Sequence, residues 1–221
     1  MFSIGKKARP KPQPKAPPKP PVPISGVLLD DLVYLRAQFG VSADLTVRRL
    51  TVCGRETAIV TIEGMVDRHM MANAVILPMT EMTGSYTPEA LIARIRDEVL
   101  GFTDMLQVTT MDELMNLVAS GFGAILVDGV PFGLQNFMIR SVSEPSSEVT
   151  MRGSREGFTE AIRVNISMIR RRLKTPELVF DMMEAGKTSH TAVCLCYMKS
   201  RVSEELLAHV KEKIESLPLD A

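Results

Sequence analysis

One order of elements occurs twice in this chain, and that repetition narrows the folds open to it more than any other feature. The first copy is YLRAQFGVSADLTVRRLTVCGRETAIVTIEGMVD and the second is IRRRLKTPELVFDMMEAGKTSHTAVCLCYMKSRVS. Each reads as a helix, a short linker, a strand, a turn with Gly beside a basic residue, a strand opening near Thr-Ala, and a capped helix. Leu45 answers Leu178, Gly54–Arg55 answers Gly186–Lys187, and Thr57–Ala58 answers Thr191–Ala192, with small gaps between. The expected fold class is therefore α/β (α+β): two related mixed-sheet subdomains with flanking helices. The hairpins force antiparallel neighbours and the crossing helices allow parallel ones. We place the first subdomain at 24–142 and a second, smaller one at 143–221, which lacks the extra strand–helix–strand of the first.

Local patterns fill in the elements. GVLLDDLVYLRAQFG carries Leu28, Leu32, Leu35 and Phe39 at helical spacing and stops at Gly40. LTVRRLTV and TAIVTIEGM read as strands about a turn at Cys53–Glu56. Asp67, Thr87 and Ser203 stand where helix caps belong, with Pro88 at a first helical position. MLQVT is a short strand, TMDELMNLVASG a helix closed by Gly121, and GAILVDG with FGLQNFMIRS a further hairpin turning at Asp128–Gly129. A helix from Thr159 to about Lys174 is expected to bury Ile162, Ile166, Ile169 and Leu173.

Residues 1–23 are of another kind. The stretch 6–23 holds 8 of the 14 prolines, favours polyproline II and offers too few backbone donors and apolar side chains to build a core. It is expected to be a disordered basic tail. Lys6, Lys7, Arg9, Lys11, Lys15 and Lys19 lie in it without an acid; setting those six aside leaves 20 basic against 26 acidic residues, so the body carries about −6. A body of that sign is a poor binder of nucleic acid, whereas the tail suits an anionic lipid surface. The N-terminus lacks the apolar region of a signal peptide, and no apolar run is long enough to span a bilayer. The close at LPLDA, without a polar tail, reads as the cut edge of a longer chain.

Reactive chemistry is poorly represented. Cys53, Cys194 and Cys196 read as buried, reduced thiols, and His69, His190 and His209 are scattered, so no metal site and no cofactor are expected. There is no phosphate-cradling loop, no Gly-x-Ser-x-Gly elbow and no His-Glu-x-x-His, and Ser154 has no general base in view, so the chain is not expected to be an enzyme. Arg163, Arg170, Arg171, Arg172 and Lys174 do not make one stripe, because about 100° separates successive helical residues. With no aromatics interleaved for stacking, they read as an ion-paired helix rather than a nucleic-acid site.

The segment SEPSSEVTMRGSREGFTEAIRVNISMIRRRL concentrates the charge. Glu144 and Glu148 precede Arg152, Gly153 and Arg155; Glu156 and Glu160 follow. An arginine fork bridges two carboxylates, and a network of such pairs at a junction fixes the orientation of two units better than isolated exposed pairs do. The expected structural and interaction network is Glu144, Glu148, Arg152, Gly153, Arg155, Glu156, Glu160, Asn165, Arg170 and Arg171.

The same residues carry a resemblance. EPSSEVTMRGSREGFTEAIRVNISMIRRRLKTPEL closely resembles the signature of the spore germination receptor A-subunit (GerA) family: Glu144, Pro145, Glu148, Arg152, Gly153, Arg155, Glu156, Gly157, Phe158, Glu160, Asn165 and Ile169–Arg172 match it. GKTSHTAVCLCYM is similar to the family's Gly-basic-x-Ser-x-Thr strand, while Ser154 stands where the family usually has Pro. The resemblance implies a cytosolic N-terminal domain followed, beyond residue 221, by a multi-pass membrane domain in the spore inner membrane. It implies B and C receptor subunits as partners, and a role in receptor assembly and germination signalling. The motif does not separate a receptor A subunit from the SpoVA-associated relative. A small-molecule-binding α/β domain of the same or a related membrane complex is the alternative reading, because a cleft between two units is a usual ligand location.

Overall fold

Two β-hairpins anchor the architecture, one in each copy of the repeated order. The computed structural model describes residues 20–99, 105–137 and 157–216. Helix α1 (Leu28–Phe39) buries all four residues of its predicted stripe, Leu28, Leu32, Leu35 and Phe39. Val27 precedes it without a capping side chain, and Asp128 Oδ1 takes that place by accepting from the Leu28 N–H at 3.0 Å. The turn of a distant hairpin thus caps the helix.

Strands β1 (Leu45–Val52) and β2 (Arg55–Ile62) pair antiparallel over their whole length, from Leu45↔Ile62 to Val52↔Arg55. Cys53 and Gly54 connect them with φ of 49° and 77°, the paired left-handed conformation of a tight two-residue hairpin turn. Helix α2 covers 68–81, its N-cap Asp67 accepting from the N–H groups of His69 and Met70. Its turns widen over Ala72–Ile76, just ahead of Pro78, which has no N–H to give and would clash in a regular turn. Helix α3 covers 88–99 and starts at the predicted Thr87 cap with Pro88.

The chain continues through β3 (Leu106–Val108), α4 (Met111–Ala119), β4 (Gly123–Val127) and β5 (Gly133–Phe137). The sheet order is β1-β2-β4-β5-β3, and each neighbouring pair is antiparallel. This corrects the expectation of mixed sheets: α2 and α3 carry the chain to the far edge, and α4 returns it so that β4 enters beside β2 in the opposite sense. Central β4 is buried at all five positions and β2 from Thr57 onward, because helices cover both faces. Leu35, Phe39, Val60, Ile62 and Leu126 face the α1 and α4 side; Ile59, Val75, Leu91, Ile95 and Ile125 face the α2 and α3 side.

The second copy consists of α5 (Ile162–Arg172), β6 (Leu178–Ala185), β7 (Thr191–Met198), a short turn at Lys199–Arg201 and α6 (Glu204–Glu215), with Ser203 as N-cap. β6 and β7 form their own two-stranded antiparallel sheet from Leu178↔Met198 to Ala185↔Thr191. Helix–strand–turn–strand–helix is thus present twice, α1-β1-β2-α2 and α5-β6-β7-α6. The boundary placed near residue 142 lies outside the described residues, as does the tail before Pro20.

Helix α5 is shorter than predicted at both ends. The Asn165 amide folds back on Thr159, accepting from its N–H and donating to its carbonyl at 2.8 Å each, which holds 159–161 as a loop. Leu173, expected in the core, is 48% exposed. In its last turn the fully buried residue is Arg170, three positions before Leu173.

Candidate functional site

Helix α5 presents Ile162, Ile166 and Ile169 to the Leu178–Phe180 end of the second sheet. Arg170 follows that stripe and is 0% exposed. A guanidinium has five N–H donors and no acceptor, so burying it is tolerable only where a carboxylate and further acceptors surround it. The first unit supplies the carboxylate. Arg170 Nε donates to Asp44 Oδ2 at 2.7 Å and Nη2 to Asp44 Oδ1 at 3.0 Å, a two-point fork. The remaining donors reach Ser42 Oγ at 3.2 Å and the carbonyls of Leu178 and Thr175 at 2.9 and 2.6 Å. Phe180 and Phe39, one from each unit, hold their rings 5.0 and 5.9 Å from the guanidinium carbon.

The acceptor side is equally well tied. Ser42 Oγ donates to Asp44 Oδ1 at 2.6 Å and accepts from the Phe180 N–H at 3.1 Å. The Ala43 N–H donates to the Phe180 carbonyl at 2.8 Å. Loop 42–44, strand β6 and helix α5 therefore meet at one buried point, with Asp44 2% exposed.

A half-exposed ring surrounds that point. Glu63, at the end of β2, is ion-paired with Arg163 of α5 and with Arg68 of α2. Arg171 Nη2 donates to the Gly64 carbonyl at 3.1 Å. Gly64 is required twice over: its φ is 75°, and a Cβ there would lie 2.8 Å from Ser167 Cβ. Lys199, after β7, donates to the Gln38 carbonyl near the end of α1.

Of the predicted network, Arg170, Arg171 and Asn165 stand at or beside this junction. Glu160 is exposed, and Glu144, Glu148, Arg152, Gly153, Arg155 and Glu156 lie outside the described residues. Sequence reasoning missed Asp44, Ser42, Glu63 and Gly64. The one available signal was Ser42-x-Asp44, a polar pair directly after a helix-ending glycine and before an apolar strand.

The cysteines correct a further expectation: Cys53 and Cys194 are half-buried and Cys196 is exposed, because β7 has no helix layer that covers it fully. Burial, then the neighbouring Cys196 and the carboxylates of Asp44 and Asp181, push the Cys194 thiol up to about 11, so it is not a thiolate at neutral pH. Among the described residues no three His, Cys, Asp or Glu side chains converge as a metal would need.

Comparison with known proteins gives this geometry a setting. Residues 33–221 match the family described as Bacillus/Clostridium GerA spore germination protein. The chain is 30% identical over 208 residues to spore germination protein KA of Bacillus subtilis, covering 91% of this chain and 38% of that protein. It is 29% identical over 193 residues to stage V sporulation protein AF of Bacillus subtilis, covering 84% of this chain and 38% of that protein. The chain thus spans well under half the length of these relatives. Its fold is that of the N-terminal domain of the A subunit of the Bacillus megaterium spore germinant receptor GerK3. The TM-score against that crystal structure is 0.73 at 21% identity, over 91% of this chain and 76% of that one. This chain belongs to the GerA family of spore germination proteins.

Proposed function

We propose that this chain is the N-terminal domain of a germinant receptor A subunit. In this reading it is a non-enzymatic module that assembles with the receptor's B and C subunits and transmits the germination signal through the relative setting of its two units. The supporting observation is the buried Arg170–Asp44 fork, which joins α5 of one unit to the loop after α1 of the other across 126 positions of sequence. Buried ion pairs add little net stability over apolar packing, yet they specify one arrangement because every alternative leaves a charge unpaired. The predicted pairs of Glu144, Glu148, Arg152, Arg155 and Glu156 are proposed to extend the same junction. Membership in the GerA family and the shared fold with the GerK3 domain support the placement; a membrane domain after residue 221, in the spore inner membrane, completes it. Among the described residues no helix is long and apolar enough to cross a membrane.

The test is germination of spores whose full-length protein carries Arg170→Lys, which keeps the charge and loses the fork. The expected outcome is a subunit still present in the inner membrane with germination strongly reduced. Normal germination with that variant overturns the proposal.

A further inference from the structure

The first unit holds a cavity of about 230 Å³ between its outer hairpin and α2. At ~30 Å³ per water it would take about eight waters. Its walls are largely aliphatic, with Ile59 on the sheet and Met71 and Ile76 on the helix. Its polar groups are few and mostly uncommitted. Thr61 is 3% exposed, and among the described residues its hydroxyl has no hydrogen-bond partner. The Arg48 guanidinium and the Thr46 hydroxyl, on the adjacent strand, are likewise unpartnered among the described residues. Glu63 also lines the cavity, but its carboxylate is held by Arg68 and Arg163.

We propose that this cavity binds a small monocarboxylate with a short branched aliphatic tail. The Arg48 guanidinium and the two hydroxyls supply donors for one carboxylate, and the aliphatic walls take the tail; Arg68, which also lines the cavity, is paired with Glu63. Thr46 and Arg48 are exposed and Thr61 lies beneath them, so the carboxylate would sit at the mouth of the cavity, still partly hydrated, with the tail inside. This site is distinct from the Arg170 junction, although Glu63 and Gly64 belong to the borders of both.

Calorimetric titration of the whole chain with isovalerate tests it, with isoamyl alcohol as the uncharged analogue and acetate as the tailless one. One saturable site in the millimolar range is expected, with both analogues about tenfold weaker, since each lacks one half of the recognition. Arg48→Gln should weaken isovalerate about tenfold and Thr61→Val a few-fold, with the melting temperature unchanged in both. No saturable heat with isovalerate overturns the proposal. So does acetate binding as tightly as isovalerate, which would mark an adventitious ion only, and so does wild-type affinity in both variants. None of these variants touches Arg170, so failure here leaves the germination test above intact.

Discussion

The two hairpins share a strand length and an element order, and they are stabilised by different physics. β1–β2 enters a five-stranded sheet with helices on both faces, and β2 is buried without a break from Thr57 to Ile62. β6–β7 stands alone; only Leu178, Val179, Phe180 and Ala185 of its sixteen residues are buried, and α6 buries none of its own. A two-stranded sheet with one small apolar patch is marginal by itself. The first unit can therefore rest on apolar area, while the second needs the first. At the contact, the fully buried side chain of α5 is an arginine whose counter-charge belongs to the other unit. Two copies of one local pattern thus diverge because of what surrounds them.

Removing the counter-charge is the strongest way to break this asymmetry. Asp44→Ala leaves Arg170 buried with its charge unmatched and should cost about 3–5 kcal/mol in denaturant unfolding. Hydrogen exchange should show the loss concentrated in β6 and β7, with β2 and β4 opening only globally. The double change Asp44→Leu with Arg170→Met removes both charges and should recover most of that stability, because well-packed apolar groups replace a buried pair at little cost. Uniform loss across both sheets would mean that the two units share one cooperative core.

Glycines sharpen the comparison at the next level. Gly54 and Gly64 share a left-handed φ, 77° and 75°. A Cβ on Gly54 meets nothing within 4 Å, whereas on Gly64 it would lie 2.8 Å from Ser167 Cβ. Gly54→Ala should cost about 1 kcal/mol from conformation alone. Gly64→Ala should cost about 2–3 kcal/mol, the excess coming from α5 being pushed off the first unit. Equal costs in thermal unfolding would show that α5 yields freely there.

The sequence made legible what neighbours within a few residues decide. The α1 stripe, the Cys53–Gly54 turn and the caps at Asp67, Thr87 and Ser203 follow from helical periodicity and from side chains that accept the nearest orphan N–H groups. Strand direction was not legible, because it depends on where α2, α3 and α4 carry the chain. Nor was the choice among Arg170, Arg171 and Arg172: one residue is 100° of helix, and only the position of Asp44, far away in sequence, makes the first of them the buried one. The resemblance drew attention to this arginine run and to Asn165 but said nothing of Asp44 or Glu63, which lie outside its motif.

Alkaline pH should act on the second unit before the first. Burial raises the titration of Cys194 and Tyr197, and a hydrogen bond to Asp181 raises that of Lys211; all three belong to β7 and α6. Each folded value lies above its unfolded one, so each contribution is complete below the unfolded value and fades as pH climbs through the folded one. For Cys194 that window runs from the unfolded thiol near 8.5 to about 11. Discounted for partial exposure, the thiol accounts for on the order of 1 kcal/mol across it. Exchange protection in β6 and β7 should fall over this range while β4 holds, and Cys194→Ala should flatten the slope. A parallel decline in both sheets would place the alkaline weakness elsewhere.

The smallest expected effect separates the buried fork from the ring around it. Glu63 meets Arg163 and Arg68 at the same junction; its own side chain is 13% exposed, but those arginine side chains are 68% and 75% exposed. Water screens such pairs, and ordering two long side chains offsets the attraction, so Glu63→Gln should cost about 0.5 kcal/mol or less. Rising salt should shrink even that difference while leaving the Asp44→Ala deficit in place, because the fork is closed to solvent. If Glu63→Gln instead rivals Asp44→Ala, the two units are held by their charged rim, and the buried arginine is a passenger in a contact that others maintain.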